Sequence, residues 1–95
     1  MDQADDLAER LRDLALGVPG VVSLYPGTFG EIATYLPSRR VAGIRVLPDA
    51  VHIHVCAVKG VRTGQVADSI ADRLEPEAQR RVIVWFEEDA FPGPE

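Results

Sequence analysis

The sequence predicts an α+β fold, a two-layer α/β sandwich in which two helices pack on one face of a three- to four-stranded, mostly antiparallel sheet. Three observations predict it. Two segments each carry one apolar stripe at helical spacing, two neighbouring runs of β-branched residues are joined by a short turn, and a further apolar run follows the second helix. Helices with one stripe each can cover only one face of a sheet, so the other face is left open.

The first helix is predicted over about residues 3–16. Its stripe consists of Leu7, Leu11, Leu14 and Val18, and Gly17 followed by Pro19 ends it. A short strand follows at residues 21–24, bounded on each side by a Pro-Gly turn. The loop at residues 26–30 lacks the lysine and helix start of a phosphate-binding loop, so it is interpreted as a turn from which Phe29 can fold back onto the core.

The middle of the chain contains the strongest strand signal. Residues 28–40 can be read as a strand or as a loop that crosses to the next strand, and alternation of side chains favours an extended segment. Residues 41–47 and 51–58 are then predicted to form an antiparallel hairpin around the turn at Pro48. In the second run Val51, Ile53 and Val55 share one face, and the histidines and the cysteine share the other.

The second helix and a last strand complete the prediction. Thr63 is placed to cap a helix with the stripe Val66, Ile70 and Leu74, and Pro76 lies just past that stripe. Residues 82–86 are too few for a helix and typical of a strand buried on both faces. The order is α-β-(β)-β-β-α-β, with one domain over residues 1–88 and a flexible acidic tail over residues 89–95.

Composition limits the classes of function. The 95 residues are enough for one domain, and 46% apolar and 26% charged residues are typical of a globular chain. The single cysteine, Cys56, cannot form an internal disulfide, which indicates a reducing cytosol. The acidic first residues do not resemble a signal peptide, and no apolar run is long enough to enter a membrane directly. The net charge of −5 repels phosphate backbones, so no nucleic-acid partner is expected.

One stretch of the chain carries a family resemblance. The run from Gly30 to Pro37, GEIATYLP, leads into Arg39, Arg40 and Val41, and the hairpin, the second helix and the closing VIVWFEED follow it. Over about residues 4–88 this pattern resembles the alkaline shock protein family of bacterial envelope stress response proteins, in its short actinobacterial form.

The resemblance implies a non-enzymatic cytoplasmic protein without a cofactor. It also implies self-association into a homo-oligomer and recruitment to the inner face of the membrane by a small anchor protein. The family supplies no catalytic residues to carry over. The 95 residues do not show the extended charged or Gln-rich tail of the longer members, so assembly through such a tail is not expected.

Two surfaces are candidates for partner binding. Tyr35 lies near Arg39, Arg40 and Arg45, and an aromatic ring beside guanidinium groups can hold a carboxylate or phosphate of a partner. Equally, these arginines can be solvated or can pair with the acidic first helix. On the open face of the sheet, either Ile83 with Trp85 or Val84 with Phe86 is exposed, and Ile83 with Trp85 is the candidate face for self-association.

The alternative function is a metal or small-ligand site on the strand face that holds His52, His54 and Cys56. These are proper zinc ligands, but side chains on one face of a strand stand about 6.6–7 Å apart, so three of them rarely converge on one ion. Catalysis by Cys56 would need a base placed to activate the thiol, and no such pattern is present. No catalytic residue is therefore assigned.

Overall fold

The structure, a computed structural model, describes residues 3–37 and 39–87. Within them the elements are α1 (Gln3–Leu16), β1 (Val21–Leu24), β2 (Ala33–Tyr35), β3 (Arg40–Ala42), β4 (Ile44–Val46), β5 (Ala50–Ala57), α2 (Thr63–Ala78) and β6 (Arg81–Phe86). This is the α+β order that the sequence predicts. The proposed tail at residues 89–95 and the end of the proposed domain at residue 88 lie outside the described residues.

Both helices present their apolar stripes to one layer of core. Its largest fully buried side chains include Leu11, Ile44, Ile53, Ile70 and Leu74. Helix α1 has the predicted bounds, but the details of α2 differ from the prediction. Arg62 is its N-cap and no side chain caps it, so the predicted cap by Thr63 is wrong. The helix also continues through Pro76, because the buried side chain of Ala78 extends the stripe by one more turn.

Strand β5 is the centre of the main sheet. Along one edge it pairs antiparallel with β4 through Val51–Ile53 and with β1 through Val55–Ala57, so these two strands lie end to end. Along its other edge β5 pairs in parallel with β6, with Val51 opposite Val82. Helix α2 connects these two parallel strands, as a parallel connection requires.

The predicted hairpin is present, but its first arm is shorter than predicted. Gly43 has a positive φ of +86° and divides residues 41–47 into two strands. Its N–H donates to the carbonyl of Ile32 and its carbonyl accepts from the N–H of His54. Strand β4 therefore continues the hairpin with β5, whereas β3 turns away to pair with β2.

The segment that was ambiguous in sequence contains a strand of three residues, β2, in a separate two-stranded sheet with β3. The hydroxyl of Thr34 links this small sheet to β4, because it donates to the carbonyl of Ile44 at 2.6 Å and accepts from the N–H of Val46 at 3.2 Å. Phe29, in the preceding turn, is 92% exposed, so the expectation that it folds back onto the core is wrong.

Strand β6 is not buried on both faces, contrary to the prediction. Val82 is buried, and Val84 and Phe86 pack against the core. Trp85 points to the opposite side and is 47% exposed. The difference arises because both helices contribute to the one core, which covers only the face of β6 that carries Val82, Val84 and Phe86. Among the described residues there is also no helix with the length and apolar character needed to cross a membrane.

Candidate functional site

The side of the sheet turned away from the helices, here called the outer face, carries the polar and aromatic side chains of three neighbouring strands. Alternation along β5 directs Val51, Ile53 and Val55 into the core and His52 and His54 to the outer face. The pairing register then places three side chains of other strands beside the histidines: Arg45 is opposite His52 on β4, and Ile83 and Trp85 are opposite His52 and His54 on β6.

His54 is the most firmly held side chain of the outer face. Its backbone lies where β1 and β4 meet, with its N–H donating to Gly43 at 2.9 Å and its carbonyl accepting from the N–H of Tyr25 at 2.8 Å. Its ring Nδ1 lies 2.9 Å from Oε2 of Glu87. A carboxylate only accepts hydrogen bonds, so this contact requires a proton on Nδ1, and it is an ion pair only when Nε2 is protonated as well.

Trp85 lies across both histidines. Its ring stacks on that of His54 with centroids 5.6 Å apart and an angle of 8° between the planes, and on that of His52 at 6.2 Å and 22°. The indole Nε1–H donates to Nδ1 of His52 at 3.1 Å. An indole N–H can only donate, so Nδ1 of His52 carries no proton in this arrangement. The indole ring is thus held by stacking and by one hydrogen bond, while almost half of the surface of Trp85 remains accessible.

These side chains border an open groove of about 420 Å³. Its lining consists of Arg45, Leu47, His52, His54, Trp85 and Glu87. The groove offers an aromatic plane, an apolar side chain, and one basic and one acidic residue. Such a surface can stack on a flat group or pack against apolar side chains of another chain.

The cysteine of the proposed metal set is separate from this groove. Cys56 is buried, as a free thiol, and is paired with Ser23 of β1. Within residues 3–37 and 39–87, no group of three or more His, Cys, Asp and Glu side chains is arranged to hold a metal ion. The structure therefore brings His52 and His54 together with Trp85 and Glu87, and it leaves Cys56 outside their cluster.

Each arginine of the proposed basic patch is hydrogen-bonded within the chain. The Arg39 guanidinium donates to the carboxylate of Glu9 on α1 at 2.6 Å, which is the pairing with the acidic helix that the sequence left open. This hydrogen bond is the main cause that lowers the pKa of Glu9 below its ordinary value of 4.5. Arg40 donates to the carbonyl of Gly30. Tyr35 is opposite Arg40 and is 67% exposed.

Arg45 belongs to the outer face and is tied to the turn before β2. One of its Nη atoms donates to the carbonyl of Glu31 at 3.1 Å. The Glu31 carboxylate accepts from the N–H of Phe29 at 3.0 Å, and hydrogen bonds from its own backbone N–H and that of Phe29 are the main causes that lower the pKa of Glu31. The guanidinium of Arg45 is thereby held at the rim of the groove.

Sequence reasoning missed Glu87 and Leu47 as members of the site. Glu87 follows β6 and contacts a histidine 33 positions earlier, which is visible only once β5 and β6 are known to be parallel neighbours. A signal was present in the alternation of β6, since Ile83, Trp85 and Glu87 are two residues apart and must share one face.

Comparisons with known proteins add no assignment to this geometry. The chain matches no protein-family model, and the searches of curated proteins and of solved structures return no significant match.

Proposed function

We propose that this domain is a non-enzymatic interaction module that self-associates through the outer side of its last strand, at Ile83 and Trp85. The observation that carries the proposal is the position of Trp85. A large aromatic side chain stands 47% exposed on the sheet face opposite the helices, and it is fixed there by a stack and a hydrogen bond. Rigid aromatic side chains lose little conformational entropy on binding, and tryptophan is enriched among residues that dominate interface energies.

The experiment is a measurement of molar mass by light scattering after size exclusion, with metal analysis of the same peak. The wild-type chain is expected to form a dimer or larger species without bound zinc. Trp85→Ala is expected to shift it towards monomer. Phe29→Ala is the matched control, because Phe29 is a more exposed aromatic that lies in a loop and contributes nothing to the outer face. A wild-type chain that stays monomeric at all accessible concentrations would contradict the proposal.

The cellular role that we propose is the one implied by the family that the sequence resembles. We propose that the domain acts in envelope stress in the cytoplasm and is held at the inner face of the membrane by a small anchor protein. The exposed ring of Tyr35 on β2 is the contact we propose for that anchor. It lies in the small sheet and is not among the residues that line the groove, so one molecule could self-associate and bind an anchor at the same time.

A second candidate function is favoured by the groove itself. Its volume of about 420 Å³ falls within the range of small-molecule sites, and Trp85 with Arg45 at the rim suits a flat anionic ligand. A monomer that carries a bound small molecule or stoichiometric metal, and loses it in His52→Ala and His54→Ala, would favour this function over self-association.

A further inference from the structure

No described strand pairs with the second edge of β6, and the hydrogen bonds of this strand show which of its backbone groups point to that edge. The N–H of Glu87 donates to Val55 on β5, so the odd-numbered residues of β6 direct their backbone groups towards β5. The even-numbered residues direct theirs outwards, as Val82 confirms by donating its N–H to the carboxylate of Glu75 at 3.0 Å. Within the described residues, the outward N–H groups of Val84 and Phe86 have no hydrogen-bond acceptor.

An open edge of this kind is a template for another strand. The sequence of β6 and the next residue, RVIVWFE, identifies a second copy of the same strand as a matching partner. If two copies run antiparallel with Val84 opposite Val84, then Ile83 is opposite Trp85 and Val82 is opposite Phe86. The same register places Arg81 opposite Glu87 at both ends, so each charge faces its opposite.

We infer that two copies of this chain join their β6 strands edge to edge in that antiparallel register, forming one continuous sheet across a twofold axis. This inference rests on the proposed self-association and specifies its geometry. Val84 is then a hydrogen-bonded pair with its own copy, the type of pair in which both N–H groups and both carbonyls face the partner. Phe86 donates to the carbonyl of Val82, whose own N–H remains with Glu75.

The side chains satisfy the same register. On the outer face, Ile83 of each copy lies beside Trp85 of the other copy. These are the two large apolar side chains of β6 that are not packed into the core. Arg81 is exposed and forms no ion pair with any described residue, so it is available to the Glu87 carboxylate of the other copy. Glu87 keeps its contact to His54 through Oε2, and its second oxygen can accept from Arg81.

Charge reversal tests the register directly. Arg81→Glu alone places acids opposite acids, and Glu87→Arg alone places bases opposite bases, so each homodimer should weaken about tenfold or more. Mixed together, the two variants restore both opposite-charge pairs, so the heterodimer should recover the wild-type affinity. Sedimentation equilibrium on each variant, on the mixture and on wild type measures the dissociation constants, with circular dichroism to confirm that each variant is folded.

The backbone is tested by a second pair of variants. Val84→Pro removes the outward N–H that pairs across the axis but leaves the bonds between β5 and β6, because those use the odd-numbered residues. It should abolish dimerisation, whereas the matched Val84→Ala, which keeps the N–H, should retain it. This inference would be overturned if wild type is a dimer but the charge reversals leave its dissociation constant unchanged, or if the two Val84 variants dimerise equally well. Either result would leave the proposed function standing. A strictly monomeric wild type would overturn the proposed function itself.

Discussion

Gly43 is the residue whose replacement tests the architecture most sharply. It lies where β4 begins and β1 ends along the same edge of β5, and it has a φ of +86°. A Cβ added to it would lie 2.5 Å from Cβ of Leu24 and 3.3 Å from the backbone nitrogen of Tyr25. Neither neighbour is the free end of a flexible side chain, so Gly43→Ala forces the backbone of β1 and β4 apart.

The cost has two parts that can be separated. An L-residue in this left-handed conformation costs roughly 1–2 kcal/mol. Insertion of a methyl group into a packed site adds about 1–3 kcal/mol. Gly60 isolates the first part, because its φ is +89° but nothing lies within 4 Å of an added Cβ. We therefore expect Gly60→Ala to lower the free energy of unfolding by about 1–2 kcal/mol and Gly43→Ala by about 2–5 kcal/mol.

The assay is equilibrium unfolding in urea, followed by circular dichroism and by the fluorescence of Trp85. Both variants should keep the wild-type slope of free energy against denaturant, so the change appears as a shift in midpoint. Equal losses in the two variants would show that no contact opposes a methyl group at residue 43. In that case β1 and β4 could not abut on one edge of β5, and the placement of Arg45 and His54 on one face would have to be revised.

Two further predictions follow from the pairing of Arg39 and from the exposure of Tyr35. Because the Arg39 hydrogen bond lowers the pKa of Glu9 in the folded state, its stabilising effect is full above the ordinary pKa of 4.5 and is lost as the pH falls below it. The melting temperature of wild type should therefore exceed that of Glu9→Gln at neutral pH and converge with it in acid, and a constant difference would refute this. If an anchor protein binds at Tyr35 as proposed, wild type should be found in the membrane fraction of its host, and Tyr35→Ala should move it to the soluble fraction without changing its molar mass. Phe29→Ala should not move it. Retention of Tyr35→Ala at the membrane would remove Tyr35 from the proposed contact.

The helices, the strand-rich middle and the alternation of β5 could be predicted because each depends on local periodicity. Leu11, Ile53 and Ile70 are fully buried as their spacing requires. The break at Gly43 was missed, although an isolated glycine in a strand pattern often marks a bulge or a close approach of two backbones. Periodicity cannot show whether such a glycine marks a bulge or a close approach. Here the close neighbour is Leu24, which belongs to a segment almost 20 residues earlier in the chain.

The cluster of histidines and tryptophan could be predicted only in part. Alternation places His52 and His54 on one face, but the side chain that stacks on them comes from β6. The chain reaches β6 only after α2, so this contact is not local in sequence. A strand, a helix and a strand in succession favour a parallel pair, and this signal was present in the sequence. The basic patch was grouped by closeness in sequence. In the structure Arg40 and Arg45 donate to the adjacent carbonyls of Gly30 and Glu31. Arg39 instead donates to Glu9 of α1, a contact between segments 30 residues apart that periodicity does not show.

Trp85 also explains why the outer face suits a protein partner better than a metal ion. To bind zinc, nitrogens of His52 and His54 would have to turn towards one point, although the rings start about 6.6–7 Å apart along the strand. Because Nδ1 of His52 accepts from the indole, the neutral ring carries its proton on Nε2, and that nitrogen could bind an ion only if the hydrogen bond to Trp85 were lost. Turning the rings would also break their stack on Trp85. A second chain, in contrast, needs only to cover the exposed side of a ring that is already fixed. The contacts that oppose metal binding therefore prepare the same surface for association.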